Sequence, residues 1–386
     1  MKHKKLTEIC ELTRGTEPGS DSYNDKQEGV RFIRVADISK QKTDYIWTKS
    51  DDLIFCKKED VLMSFDGSPG AVYRGIEGAI SSGIRIVRPK SEIMNDFLFY
   101  VLQTNRVQSI VKKYTIGSSI LHASKSIPFI EVPVPPLLIQ RKIASILEKA
   151  ESAKEKRQEA NRLSDEFLKS TFLEMFGDPV RNPKHWKIMR IEKFCEKEKN
   201  AIKAGPFGSS LKKEFYTIKG YKIYGQEQVI RDNLSYGDYY ISEEKYHELI
   251  NYKIKEGDVL ISLVGTYGKI SIVPKKFELG IINPRLMKIT LNQNIVLPLY
   301  FKFLLISQSM ENKMALLSHG GTMGILNVGI IKKIDFLIPP IELQLKFADI
   351  VQKVEKLKEK QRESEKELSN LFNSLMQKAF KGELIQ

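Results

Sequence analysis

The feature that most constrains this chain is an internal repeat. Sliding the sequence by 204 residues without a gap lays Pro135-Pro136 on Pro339-Pro340, Gln140 on Gln344, Ala144 on Ala348, Ile146 on Ile350, and Lys154-Glu155-Lys156 on Lys358-Glu359-Lys360. In the first copy Ile143, Ile146, Ala150, Ala153, Arg157, Ala160, Ser164 and Phe167 recur at alternating three- and four-residue spacing, the seam of a coiled-coil helix. The second copy keeps that register through Phe347, Ile350, Val354, Leu357, Gln361, Ser364, Leu368 and Leu371. The polar step at Arg157 is matched by Gln361, which reads as a register-setting layer. Each apolar stripe must be buried, and the other copy's stripe is the nearest matching surface. The prolines launch the first helix, and Gly177 followed by Pro179 stops it.

What precedes each helix is also replayed. Short apolar runs such as Val30–Ala36, Val61–Phe65 and Gly83–Val87 lie between Gly, Pro, Asn and Asp, a pattern of short strands and loops with a helical patch over Met94–Lys113. Leu6, Ile9 and Cys10 return as Ile191, Phe194 and Cys195, and Gly67-Ser68-Pro69-Gly70 as Gly265-Thr266-Tyr267-Gly268. Arg85 lines up with Arg285, Tyr100 with Tyr300, and Gly117-Ser118-Ser119 with Gly320-Gly321-Thr322. The predicted organisation is a globule over 1–136, a long helix over 137–178, a second globule over 179–340 and a second helix over 341–386. The fold class is α/β (α+β): two similar globules with small curved sheets, and two helices paired antiparallel with pseudo-two-fold symmetry, so that the globules sit at opposite ends.

Composition narrows the functions. The 386 residues carry a net charge of +14, of which +10 falls on residues 179–340, and such a surface attracts polyanions. Cys10, Cys56 and Cys195 are too few and too scattered for a disulfide framework or a zinc site, and a reducing cytoplasm is expected. No run of eighteen apolar residues predicts a membrane span. The five histidines lack metal-ligand spacing. Around Gly265–Lys269 the P-loop pattern fails, because Leu263 stands where its first Gly belongs and Ile270 follows the Lys. Asn283-Pro284-Arg285-Leu286 lacks the second proline and the aromatic residue with which amino-methyltransferases hold a flipped base. No catalytic group, metal or cofactor is expected in this chain.

The two globule-plus-helix repeats, the run Gly205-Pro206-Phe207-Gly208-Ser209-Ser210-Leu211, the pair Phe32–Ile38 and Ile223–Gln226, and the Pro-Pro-to-Gln helix entries together resemble the DNA-specificity subunit of a type I restriction-modification system, over the whole length. That resemblance implies two target-recognition domains, each reading one half of a split, asymmetric site in double-stranded DNA. It also implies helices that act as a ruler, two methyltransferase subunits clasping them, and restriction/translocase subunits docked on the assembly. The residues leave room for a stand-alone DNA-binding regulator or a coiled-coil adaptor.

Candidate DNA contacts follow from chemistry. Gly-rich turns let backbone N–H groups and nearby Ser, Thr and Lys side chains approach phosphates, which points to Ser68, Ser118, Ser119, Ser209, Ser210, Lys212, Lys213, Thr266, Lys269 and Thr322. Base reading needs Arg, Asn or Gln able to reach a groove edge, which points to Arg85, Arg285, Asn283, Gln226 and Gln228. Tyr23, Tyr73, Tyr236, Tyr239 and Tyr267 are candidates for contacts to sugars or thymine methyls.

Overall fold

The computed structural model describes residues 2–39, 44–265, 268–318 and 326–384. They form two compact units, one of Met1–Glu159 with Arg362–Gln386, the other of Ala160–Gln361. The first unit is discontinuous and the second is a single stretch, and neither holds a whole long helix. The long helices α1 (Leu137–Phe176) and α2 (Ile341–Lys381) each contribute to both units.

The first unit holds β1 (Cys10–Arg14), β2 (Val30–Ile33), β3 (Val61–Ser64), β4 (Gly78–Ile80) and β5 (Ile84–Pro89). One sheet runs β1, β5, β3 and Val72–Tyr73, all antiparallel. A second runs Tyr23–Asn24, Ile46–Thr48, β2, β4 and Phe55–Cys56, and in it β2 and β4 are parallel, with Ile33 opposite Ile80. Strand β3 is apolar at consecutive positions because both its faces are covered. Val61 and Met63 join the helix-facing core, whereas Leu62 packs with Ile33, Ile80 and Ile86. The helical patch is two helices, Asn95–Leu102 and Asn105–Lys113. Phe97, Tyr100 and Val101 bury against Ile143, Ala144 and Leu147 of α1 and Ala379 of α2.

The second unit repeats this frame with β6 (Ile202–Ala204), β7 (Tyr221–Tyr224), β8 (Val259–Ser262), β9 (Gly280–Ile282) and β10 (Leu286–Ile289). One sheet runs β6, β10, β8 and Ile270–Ile272; the other runs Tyr216–Thr217, Tyr240–Ile241, β7 and β9. Strands β7 and β9 are parallel, with Tyr224 opposite Ile282. Its core gathers Leu168, Phe172 and Phe176 of α1 and Phe347 and Val351 of α2 around Tyr300, Phe301 and Phe336.

The repeated glutamine has a physical reason. Gln140 donates to the Pro135 and Glu92 carbonyls and accepts from Met94 N–H, all at 2.8 Å; Gln344 does the same with Pro339, Ile295 and Leu297 at 2.9 to 3.0 Å. It fastens each helix entry to the loop before a core helix. Because Met94 thus corresponds to Leu297, Tyr100 corresponds to Phe303, and Tyr300 corresponds to Phe97. The Tyr100–Tyr300 match read from sequence is one helical turn out of step.

Within each unit the two helices run antiparallel. In the first, Gln158 bonds Glu365 at 3.2 Å while Lys154 lies over the Phe372 ring at 5.8 Å. In the second, Asp165 pairs with Lys358 at 2.8 Å while Phe172 and Phe176 meet Phe347 at 5.6 and 5.5 Å. The buried stripe departs from the predicted seam. Ile143, Ala150 and Phe347 are buried, and Ile146, Ile350, Val354 and Leu368 are partly so, but Phe167, Leu357 and Leu371 are about half exposed. Leu168, Lys358 and Phe372 take the inward places. A straight 3.6-residue helix drifts against a strict heptad, so the inward face moves on by one residue along helices this long. From Glu151 to Phe167 no residue of α1 is buried, and Ala153 is only partly covered. The Arg157 Nε is buried without a hydrogen-bond partner, whereas Gln361 accepts from the Ser164 hydroxyl at 3.3 Å inside its own unit.

Candidate nucleic-acid interface

Loops gather at the carboxyl ends of the parallel pair in each unit. In the second unit they are Gly205–Ser210 after β6, Gly225-Gln226 after β7, Leu263–Gly265 and Gly268-Lys269 after β8, and Asn283–Arg285 between β9 and β10. Backbone bonds knit them together: Gly205 N to Leu286 O at 2.8 Å, Asn283 N to Tyr224 O at 2.8 Å, and Leu263 N to Arg285 O at 2.9 Å. Gln226 Nε2 donates to the Val264 carbonyl. A Cβ on Gly205 would lie 1.9 Å from the Asn283 carbonyl oxygen, so only glycine permits this approach.

The first unit builds the same mouth from Gly15–Gly19, Arg34-Val35, Phe65–Gly70 and Ser81–Gly83. Gly15 N donates to Ile84 O at 3.1 Å, and a Cβ there would lie 2.2 Å from Ser81 O, which places Gly15 where the second unit has Gly205. Arg34 N bonds Asp37 at 2.7 Å, as Gly225 N bonds Gln228 at 3.0 Å. The turns after β3 and β8 also match: Gly70 N to Ser64 O and Gly268 N to Ser262 O are both 2.9 Å.

This superposition corrects one expected pair. Ser64 faces Ile84 as Ser262 faces Leu286, so the counterpart of Arg285 is Gly83, two residues before Arg85. Arg85 lies in β5, is 7% exposed, and donates to the Ser82 and Ile84 carbonyls and the Ser124 hydroxyl. It props the sheet and is not positioned to reach a groove. Gln228 is likewise buried at 3% exposure, capping Gly225 N and donating to Tyr236 O at 3.0 Å.

The remaining candidates divide by place. Arg285 and Lys269 are exposed at the second mouth, and among the described residues neither side chain has an ion-pair or hydrogen-bond partner. Asn283 is half-buried, its side-chain oxygen accepting from Arg285 N at 2.9 Å, which fixes the backbone that carries Arg285. Ser209, Lys212 and Lys213 are exposed and Ser210 half-buried on the loop beginning at Gly205; Lys212 lies 3.5 Å from Glu214. Ser68 sits in the turn after β3, and Leu121 pairs with Gly67, which brings the exposed Ser118 and Ser119 to that turn. Thr266, Tyr267 and Thr322 lie outside the described residues. Tyr23 stacks on Phe32 and donates to Glu17, an internal role.

Charge separates the mouths. In the first, Arg34 pairs with Asp37 and Asp44, and Arg85 lies 3.9 Å from Asp66. At its mouth the first unit engages Arg34 and Arg85 internally, and the second presents Lys269 and Arg285 outward. Sequence reasoning missed Phe207, whose ring is 84% exposed at the tip of the Gly205–Leu211 loop; its one signal was an aromatic set among Gly, Pro and Ser.

Two copies of one small mixed-sheet fold, each with a backbone-lined loop cluster carrying different polar side chains, define a duplicated nucleic-acid-binding protein. The chain matches the type I restriction modification DNA specificity domain over residues 1–164 and 183–369, and belongs to that family. It is 23% identical over 347 residues to the type I restriction enzyme MjaVIII specificity subunit of Methanocaldococcus jannaschii, covering 86% of this chain and 80% of that protein. It is 23% identical over 413 residues to the EcoBI specificity subunit of Escherichia coli, covering 98% and 85%. The fold is shared with the type I system S subunit from M. genitalium, with a TM-score of 0.57, 14% identity, and 98% and 96% coverage. A chain from a type I R-M system studied for complex assembly gives a TM-score of 0.59 at 18% identity, covering 99% and 98%. The resemblance read from the residues is borne out.

Proposed function

We propose that this chain reads a bipartite, asymmetric site in double-stranded DNA, one half per unit, and holds methyltransferase and restriction subunits in fixed relation to it. The observation that carries the reading is the pattern of difference between the mouths. The scaffold residues coincide, Gly15 with Gly205 and Gly70 with Gly268, while the loop residues beside them diverge: Val35 against Gln226, Ser81 against Asn283, and the buried Gly83 against the exposed Arg285. One backbone frame carrying two different sets of loop side chains reads two different short sequences. Lys269, Lys212 and the Gly-rich turns position the phosphates.

The helices supply the surface for the protein partners. Leu163, Phe167, Leu173 and Leu357 in the second unit and Leu371 in the first are all large, apolar and exposed, a pattern that marks protein contact. Catalysis belongs to two methyltransferase subunits, which extrude one adenine in each half-site; this chain's task is to hold duplex and catalytic subunit in place.

Co-expression with the cognate methyltransferase, followed by modification mapping, is the test. A motif of two specified halves around an unspecified gap is expected. A contiguous motif, or tight specific binding by this chain alone that the methyltransferase does not alter, overturns the reading in favour of a stand-alone regulator.

A further inference from the structure

We infer that Phe207 is a wedge that stacks into a base step of the half-site held by the second unit, opening that step, while the first unit leaves its half-site undeformed. The inference rests on the DNA-reading role proposed above. An aromatic side chain in a small domain ordinarily closes a core, and burying its face is what makes it useful to the fold. Phe207 is instead 84% exposed, on a loop that is otherwise firmly seated. Pro206 and Leu211 are buried on either side of the tip. Ser210 N donates to Phe207 O at 2.9 Å and Leu211 N to Gly208 O at 3.3 Å, closing a tight turn beneath the ring. Gly205 wedges the loop base against the Asn283 backbone. The ring is therefore held out by structure.

Gly208 adds an independent sign. A Cβ there would meet nothing within 4 Å, and its φ is not in the left-handed region, so the protein's own packing does not call for glycine. The bare backbone next to the ring leaves room for something that approaches from outside. The setting identifies it as nucleic acid: Ser209, Lys212 and Lys213 follow on the same loop, and Asn283–Arg285 lies directly beneath Gly205. Apolar wedges flanked by hydroxyls and cations unstack base steps, and every base offers a π-face to an aromatic ring.

The first unit has no ring at the equivalent position. Two residues after Gly15, where the second unit has Phe207, stands Glu17, an anion that accepts from the Tyr23 and Ser82 hydroxyls. The deformation is accordingly one-sided.

The test uses the full chain assembled with its methyltransferase, on duplexes carrying the mapped motif with 2-aminopurine at successive positions of each half. A several-fold rise in fluorescence is expected at one step in the half read by the second unit, and none in the other half. Phe207→Ala should abolish the rise and weaken binding by about ten-fold, with Phe207→Trp restoring both. Because the ring is exposed, both variants should melt like the parent. No rise at any position in the parent complex, or an equal rise with Phe207→Ala, overturns the wedge. So does a Phe207→Ala variant that fails only to bind methyltransferase, which makes the ring a protein contact. A motif without a gap would defeat the underlying reading instead, so the two failures are distinguishable.

Discussion

Asp60 and Asp258 occupy equivalent turns, accepting from Lys57 N and Lys255 N at 2.8 Å, yet they titrate in opposite directions. Burial pushes Asp60 up, but two 2.8 Å bonds from Arg88 and the bond from Lys57 outweigh it and hold the carboxyl below its usual range. At Asp258 burial prevails over the Thr290 hydroxyl and Lys288, 4.0 Å away, and the carboxyl is raised. A lowered carboxyl contributes stability above its unfolded-state pKa and loses it as pH falls through the folded value. Arg88→Met should therefore cost the first unit about 2 kcal/mol at neutral pH, shrinking toward pH 3. Urea denaturation at both pH values checks this; an equal loss at each would contradict it. At the DNA face, Arg285→Ala should relax one base position in the second half of the motif, costing about 1 to 3 kcal/mol of discrimination, while Arg85→Lys leaves the motif unchanged. Methylome mapping of both variants decides. The chemistry of Arg285 was visible in the sequence, but its freedom was not: Arg85 has the same side chain and spends it on the Ser82 and Ile84 carbonyls.

Elements were legible where the repeat is rigid. The long helices keep a constant offset of 204, since an insertion there would rotate every inward side chain. In the globules the offset between equivalents grows from 185 at Cys10 and Cys195 to 202 at Ile84 and Leu286, because loops absorb extra residues at little cost. Arg85 and Tyr100 were matched to the wrong partners for that reason. The Pro-Pro-to-Gln entry, by contrast, was recognisable from spacing alone, and its bonds explain it. Gln140→Ala strips partners from Met94 N–H and the Pro135 and Glu92 carbonyls, and should cost about 2 kcal/mol in the first unit; Gln344→Ala should cost the same in the second. Hydrogen exchange resolved to each unit would show the losses falling separately, and a shared loss in both units from either variant would contradict this.

For the whole molecule, the sequence presented globule, helix, globule, helix, and the compact units cut across that order. The reason is that the stripes on the helices bury against cores as much as against each other. Phe372, Leu375, Met376 and Phe380 pack on the cluster of Phe97, Ile143 and Leu147. Deleting residues 362–386 removes that wall. At about 3 kcal/mol per large side chain the loss exceeds what a domain of this size has to spare. Limited proteolysis of the truncated chain should digest the first unit and leave a resistant fragment close to Ala160–Gln361. Equal resistance of both units would show the first to be self-sufficient.

The discontinuous first unit has a consequence for biogenesis. On the ribosome, the lobe encoded later has all of its residues in hand once Gln361 has been added, while the lobe encoded earlier still waits for its closing strip from Arg362 onward. Maturation then runs opposite to translation. Until then the nascent chain displays the faces of Phe97 and Tyr100 that Phe380 and Phe372 come to cover, the kind of surface that chaperones hold until the missing piece arrives.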